Sequence, residues 1–142
     1  MFTIRLCITQ QEIFDHLKIR HDVFVIEQCV SMAEEFDFLD RDALLFSGYL
    51  DGNMIATARV ILKKDYAKLG RFAVLKNFRR KGYGATFLKT IENHLTSQGI
   101  SEIRLSSQMH AKPFYERMGY VSFGDVYIDA NIPHIDMKKK AK

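Results

Sequence analysis

The stretch Arg79-Arg80-Lys81-Gly82-Tyr83-Gly84 is the part of this sequence best equipped for chemistry. Its basic and glycine residues lie between two patterned segments. Leu69, Phe72, Val74 and Leu75 make a short apolar run before it, and Phe87, Ile91 and Leu95 recur every fourth residue after it, with Leu88 beside them. The first pattern has β character and the second is one face of an amphipathic helix. The order is therefore strand, Gly-rich basic turn, helix. The first turn of a helix leaves backbone N–H groups without internal partners, and the helix dipole adds partial positive charge there. Glycines remove the Cβ atoms that would hold a ligand off those donors, so phosphate or pyrophosphate is the natural guest. Arg79, Arg80 and Lys81 add full charges around it. The spacing is neither the G-x-G-x-x-G of a dinucleotide fold nor the G-x-x-x-x-G-K-[ST] of a P-loop.

What the turn does satisfy is Arg-x-x-Gly-x-Gly. With the strand end Phe72-Ala73-Val74 before it and Ala111-Lys112-Pro113-Phe114-Tyr115-Glu116-Arg117-Met118-Gly119-Tyr120 downstream, the chain resembles the GNAT superfamily of acyl-CoA-dependent N-acyltransferases. Softer matches are Arg20, Val23-Phe24-Val25, Glu27-Gln28 and the run from Glu34 to Asp40, together with Ile132-Pro133-His134-Ile135 and Met137. These resemble a small bacterial YjcF/ElaA-like branch. The resemblance implies acetyl-CoA as cosubstrate and assigns its pyrophosphate to Arg79, Arg80, Lys81, Gly82, Tyr83 and Gly84, with Ala85 extending the helix N-terminus. It implies that the pantetheine arm pairs with the backbone of Phe72, Ala73 and Val74. An N–H near Val74 would polarise the thioester carbonyl, an oxyanion-hole role. Phe114 and Tyr115 would lie near the sulfur, and Arg20, Phe24, Glu27 and Gln28 would line the acceptor side.

The chemistry itself needs a neutral amine and an acid for the departing thiolate. By resemblance the acid is Tyr115. Free Tyr titrates near ~10 and a thiol near ~8.5, so full proton transfer is uphill by about 2 kcal/mol. Either nearby cations lower the Tyr115 pKa, or it mainly donates a hydrogen bond; the alternative role is aromatic packing beside Phe114. Many members of the superfamily carry a base on the strand before the turn, yet Lys68-Leu69-Gly70-Arg71-Phe72 has no carboxylate. The remaining candidates are Glu27, His110 and His134. Histidine suits the task because it is mostly neutral at pH 7, and His134 is the chosen catalytic candidate, with a backbone-bonded structural role as its alternative. His110 would cap the Tyr115 helix if it is not the base. His16, His21 and His94 read as surface or packing residues, and Cys29 as a small buried hydrophobe or an acceptor-side residue. The acidic residues Glu34, Glu35, Asp37 and Asp40 either attract a cationic amine or form a solvated face. No histidine–cysteine or histidine–acid spacing points to a metal.

These groups need elements to hold them. Alternation over residues 2–8 predicts β1. Thr9 with Glu12 has capping-box spacing, and Ile13, Leu17, Arg20 and Phe24 fall on one helical face after it, followed by a helical or irregular segment to about residue 40. Residues 44–50, 54–62 and 67–75 predict β2, β3 and β4 as an antiparallel meander, with a turn at Asp51-Gly52. The helix after Gly82 ends near Gly99. Residues 100–107 predict β5, parallel to β4 through a right-handed crossover. A short helix over 112–118 and a closing antiparallel pair over 120–128 and 134–137 complete the chain. The resulting class is α+β: a GNAT-like central mixed, mostly antiparallel sheet, splayed between β4 and β5 and flanked by helices.

Composition agrees with one domain over residues 1–142. The chain is 47% hydrophobic and 27% charged, with two cysteines and a net charge of +4, which excludes a disordered chain and a disulfide scaffold. No apolar run approaches the ~18 residues of a membrane span, so a cytoplasmic protein without membrane partners is expected. The basic residues form clusters, including a solvated tail from Lys138 to Lys142, but no stripe of the kind nucleic acid requires. The reading is an N-acetyltransferase acting on a small-molecule primary amine, as a monomer or homodimer. Two alternatives stay open: an acyl-CoA-binding sensor or interaction module without efficient turnover, and a protein N-acetyltransferase. A lysine acceptor, protonated up to ~10.4, would demand a strong base, so the lack of a β4 carboxylate favours a less basic amine such as an amino sugar or arylamine.

Overall fold

The computed structural model describes residues 1–141. Its strands are β1 (Phe2–Leu6), β2 (Leu44–Leu50), β3 (Asn53–Leu62), β4 (Ala67–Val74), β5 (Glu102–Gln108), β6 (Val121–Asp129) and β7 (Ile132–Lys140). They form one sheet in the order β1-β2-β3-β4-β5-β7-β6. Every neighbouring pair is antiparallel except β4 and β5. The mixed, mostly antiparallel α+β sheet is the one the sequence predicts.

The splay between β4 and β5 has a local cause. The two strands pair only at Ala67↔Ile103, Lys68↔Arg104 and Leu69↔Leu105. Immediately afterwards β4 bulges: Arg59 of β3 faces Gly70, but Thr57 faces Ala73. Arg71 sits in the bulge with φ of 50°, and its carbonyl accepts from Thr57 Oγ1 at 3.2 Å. A bulge bends and twists the strand that carries it. Here it turns β4 away from β5 and leaves the last residues of β4 with an open edge.

Helices cover both faces. On one lies α1 (Gln10–Arg20), started by the expected capping box between Thr9 and Glu12. It runs into a π-helical turn, His21–Glu27, closed by Gln28 N–H donating to Val23 O at 3.0 Å. A short α2 (Met32–Glu35) and a 3₁₀ turn (Leu39–Asp42) follow. On the other face α3 (Tyr83–Ser97) presents Phe87, Leu88, Ile91 and Leu95, all buried, to a core shared with β3, β4, β5 and Tyr115 of α4 (Lys112–Arg117).

Two expectations change. The buried stripe of α1 is His16, Ile19 and Arg20, continued by Val23, while Ile13 and Phe14 are exposed. Of the face expected from Ile13, Leu17, Arg20 and Phe24, Arg20 is buried and Ile13 is not; the buried stripe is rotated toward His16, whose Nδ1 lies 3.4 Å from Ser47 Oγ. The C-terminal lysines are also not a free tail. Lys138, Lys139 and Lys140 belong to β7, and Lys139 Nζ donates to Glu92 and to Met118 O. Lys142 lies outside the described residues. No described helix is long and apolar enough to cross a membrane.

Candidate active site

The gap between β4 and β5 opens into a cleft of about 1130 Å³, slightly above the ~300–1,000 Å³ usual for small-molecule sites. Three groups of elements wall it: the open edge of β4, the turn into α3, and a ring formed by the π-helical turn, α2, β5, α4 and the start of β7.

One half is made of backbone. Arg80 and Gly82 take positive φ values of 62° and 87°, which folds the turn back over the start of α3. Gly82 is the N-cap and no side chain caps the helix, so the first N–H groups of α3 are left without a protein partner. At Gly84 a Cβ would stand 3.7 Å from the Phe114 ring and 3.8 Å from Val74 Cγ2. That is ordinary contact, so glycine here leaves open a space that a side chain would fill. Leu75 N–H donates to Ile55 O of β3 at 2.9 Å. By strand alternation the Val74 groups face the other way, toward the cleft.

The side chains of this half do not all behave as expected. Arg80, Gly82, Gly84, Ala85, Phe72, Ala73, Val74, Phe114 and Tyr115 line the cleft, but Lys81 and Tyr83 do not. The Tyr83 ring packs against Phe2, 5.0 Å away. Arg79 lines the cleft but is already engaged. Its Nε donates to Val74 O at 2.7 Å, and its two Nη atoms grip the Glu27 carboxylate at 2.6 and 2.8 Å. The Arg79 hydrogen bond pulls the Glu27 pKa below the usual carboxylate range. A residue expected to hold pyrophosphate and one expected to meet the acceptor are thus paired with each other across the two halves.

Tyr115 and His134 both reach the cleft. Tyr115 is buried among Phe72, Phe114 and Tyr120, with ring centroids 5.1 to 6.1 Å apart. Burial pushes its pKa well above the ordinary tyrosine value, with no cation lowering it. Of the two roles open to it, hydrogen-bond donation is the one this environment favours. His134 Nδ1 lies 2.6 Å from Ile132 O. A carbonyl can only accept, so Nδ1 carries the proton and Nε2 keeps its lone pair in the neutral ring. The ring stacks on Tyr127 at 6.0 Å and 22°, and Tyr127 donates to Asp136 Oδ1 at 2.6 Å and contacts the Ser106 hydroxyl. His110 lines the cleft but makes no side-chain cap on α4.

The other half is made of ion pairs. Arg20 is fully buried and does not line the cleft, a correction to its expected place beside the acceptor. Its Nε donates to Glu35 Oε2 at 2.7 Å and its Nη1 to Asp40 Oδ1 at 2.6 Å. Arg59 donates to Asp37 at 2.8 and 3.1 Å and to Asp40 at 3.2 Å. Arg71, aimed inward by the bulge, lies 2.9 Å from Glu35 Oε2 and donates to Asp37 Oδ2 at 3.2 Å. Three of the four acidic residues are therefore neither solvated nor free for a cationic amine. Glu35, Asp37 and Asp40 are each paired with at least one of three arginines. Burial pushes Glu35 upward. For Asp37 burial acts the same way, but the Arg59 hydrogen bond, the Leu39 N–H and the charges of Arg59 and Arg71 together outweigh it and hold the carboxyl at about 2.

Phe24, Glu27 and Gln28 stand on the cleft wall as expected, and Gln28 Oε1 accepts from Gln108 Nε2 of β5 at 2.7 Å. Arg59 and Arg71 were not anticipated from sequence. The available signal was an arginine inside each of two apolar strand runs, Ala56-Thr57-Ala58-Arg59-Val60 and Leu69-Gly70-Arg71-Phe72. Such a cation requires internal partners.

Comparison with known proteins gives the family and the fold. A family model described as an acetyltransferase (GNAT) domain matches residues 8–141. The uncharacterized N-acetyltransferase YjcF of Bacillus subtilis is 34% identical over 92% of this chain and 94% of its own length. Among solved structures, a provisionally assigned N-acetyltransferase from Lactobacillus plantarum superposes with a TM-score of 0.93 at 25% identity, covering 99% of both chains. An acyl-CoA N-acyltransferase from Pseudomonas aeruginosa gives 0.85 at 27% identity over 98% of each.

Proposed function

The chain belongs to the GNAT acetyltransferase family, and from that premise we propose that it moves an acetyl group from acetyl-CoA directly to the primary amine of a small molecule. One observation carries this reading. The uncapped N-terminus of α3, the open edge of β4 and Tyr115 line a single cleft. A thioester on a long phosphorylated arm uses all three.

In this reading the N–H groups at Gly82 to Ala85 hold the pyrophosphate, with Arg80 adding charge. The edge of β4 at Phe72 to Val74 aligns the arm, and the Val74 N–H polarises the thioester carbonyl. Tyr115 donates a hydrogen bond to the sulfur as its bond to the acyl carbon breaks. It stays protonated until that moment, because burial disfavours the phenolate. His134 accepts the amine proton at Nε2, the nitrogen that the Nδ1–Ile132 bond leaves unprotonated. Neither Lys81 nor Arg79 is needed as a side-chain contact.

The test is thermal unfolding with millimolar acetyl-CoA, followed by free-thiol release across a panel of amines. Acetyl-CoA is expected to raise the Tm, and one class of amine to drive thiol release. Tyr115→Phe should lower kcat about tenfold while the Tm shift persists, the size expected of one transition-state hydrogen bond. No Tm shift sinks the acetyl-CoA reading. Unchanged turnover in Tyr115→Phe makes Tyr115 a packing residue.

A further inference from the structure

We infer that the acceptor amine carries a carboxylate, and that Arg71 is the residue that binds it. This rests on the acetyl-transfer reading above and names the substrate class of the same cleft.

The argument comes from counting donors and acceptors in the ion-pair half. Most of its acceptors are engaged. Glu35 Oε2 takes Arg20 and Arg71, both Asp37 oxygens take Arg59, with Oδ2 also taking Arg71, and both Asp40 oxygens take Arg20. The nearby carbonyls are used as well, since Glu34 O and Glu35 O both accept from Arg71 Nη2, at 3.1 and 2.9 Å. Donors are left over. A guanidinium has N–H groups on all three nitrogens. Arg71 uses Nε and Nη2, and among the described residues Nη1 makes no hydrogen bond. Arg59, only 5% exposed, keeps a buried Nε with no partner at all. Both arginines line the cleft. Arg71 Nη1 on the cleft wall is thus a donor that no described residue satisfies, and an oxygen from outside would satisfy it.

Three features turn that need into a site. Arg71 is held rigidly by four contacts to α2 and the residues after it, so its free Nη1 is already oriented before anything binds. The bulge at φ 50° directs it into the cleft. It lies three residues before Val74 on the same strand, at most about 10 Å along the backbone. One small molecule can therefore keep its amine at the thioester and its carboxylate at Arg71. A carboxylate is the best match for the free Nη1 of a guanidinium, because a hydrogen bond between two ionised groups is charge-assisted. Lys63 and Lys68 line the same end and form no ion pair among the described residues. The nearest free carboxylate on the wall, Glu34, accepts from Ser31 Oγ at 2.9 Å at the start of α2.

The experiment removes the charge from the substrate, so the protein stays native. Free-thiol release with acetyl-CoA is measured for matched pairs: amino acids and their carboxamides, aminobenzoates and their amides. The acid of at least one pair is expected to exceed its amide at least tenfold in kcat/KM, mainly through KM. Arg71→Lys should shrink that ratio toward unity, because one ammonium cannot keep the contacts to Glu34, Glu35 and Asp37 and also present a donor to the substrate. Amides equal to or better than their acids overturn the carboxylate seat while leaving acetyl transfer intact. Acetyl-CoA binding by Tm shift without turnover of any carboxylate-bearing amine also overturns it. Absence of the acetyl-CoA shift itself marks failure of the underlying reading instead.

Discussion

The two halves of the cleft are built from different materials. The half around Gly82 and Gly84 is backbone: positive φ values, an uncapped helix end and an open strand edge. The half around Arg71 is side chain: three arginines and three carboxylates drawn from α1, α2, β3, β4 and the 3₁₀ turn. Backbone donors are fixed by the local fold and cost little to present. A buried ion-pair cluster must recover a large desolvation cost through near-complete pairing, so loss of one member leaves another exposed to that cost. The first half should therefore tolerate change in stability terms and be sensitive in binding. The second should behave the opposite way.

The sharpest test of that contrast is Arg20→Met. Arg20 touches no part of the cleft yet pairs with Glu35 and Asp40. Removing it leaves Glu35, only 2% exposed, with Arg71 as its remaining arginine partner and takes two donors from Asp40. Breaking a buried pair of this kind costs about 3–5 kcal/mol, read as a fall in the unfolding free energy from urea titration. Acetyl-CoA affinity of the folded fraction should change by less than about threefold, a difference under 1 kcal/mol. A stability loss below about 1 kcal/mol, the level of an exposed pair, would show that the arginines and acids do not act as one unit.

The same contrast decides what could be read from sequence. The backbone half was legible, since strand, glycines and helix follow one another within a few residues and each has a local signature. The core face of α3, the order of the strands up to β5 and the capping box at Thr9 were legible for that reason. The side-chain half was not. Its partners are separated by 15 to 37 residues, so no local pattern links them, and four acidic residues in a row looked like a solvated face or a cation trap. The stripe of α1 was misread in part for the same cause: Arg20 stood on the expected face, but His16, a core residue only against Ser47 of β2, did not. The pairing of Arg79 with Glu27, 52 positions apart, was equally hidden. The bulge that splays the sheet had a faint signal, Gly70 within an apolar strand, which gives no register by itself.

Acid should separate the halves next. His16 is fully buried behind the ion-pair cluster. Burial, and then the Arg20 charge, pull its pKa down to about 4 from the ordinary histidine value of 6.5. A depressed value means that the unfolded chain takes up a proton before the folded one does. The contribution is complete above pH 6.5 and is lost as pH falls from there to about 4, a drop of roughly 3 kcal/mol at most. Asp37, held at about 2 from 3.8, extends the decline below pH 4. Urea midpoints at pH 7, 5.5 and 4.5 should fall progressively, and His16→Gln should flatten that range. A flat profile in the native protein would place His16 in contact with water.

The smallest expected effect on stability lies at Gly84, and it is the most direct probe of the backbone half. Gly84 is the second residue of α3, and no positive φ is required there. A Cβ meets Phe114 and Val74 only at ordinary contact distance. Any residue is therefore sterically admissible in the empty protein, and leaving glycine inside a helix recovers about 0.5–1 kcal/mol of conformational entropy. Gly84→Leu should leave the Tm unchanged or slightly raised. Its side chain would nevertheless occupy the space between the β4 edge and the helix N-terminus, where the pyrophosphate and arm must pass. Acetyl-CoA affinity should fall at least tenfold, or about 1.4 kcal/mol, seen as loss of the ligand-induced Tm shift. Arg20→Met and Gly84→Leu are thus expected to give opposite patterns, one losing stability and the other losing binding. If Gly84→Leu keeps its Tm shift, phosphate is not held at the start of α3, and the division of the cleft into a backbone half and a side-chain half has no functional meaning.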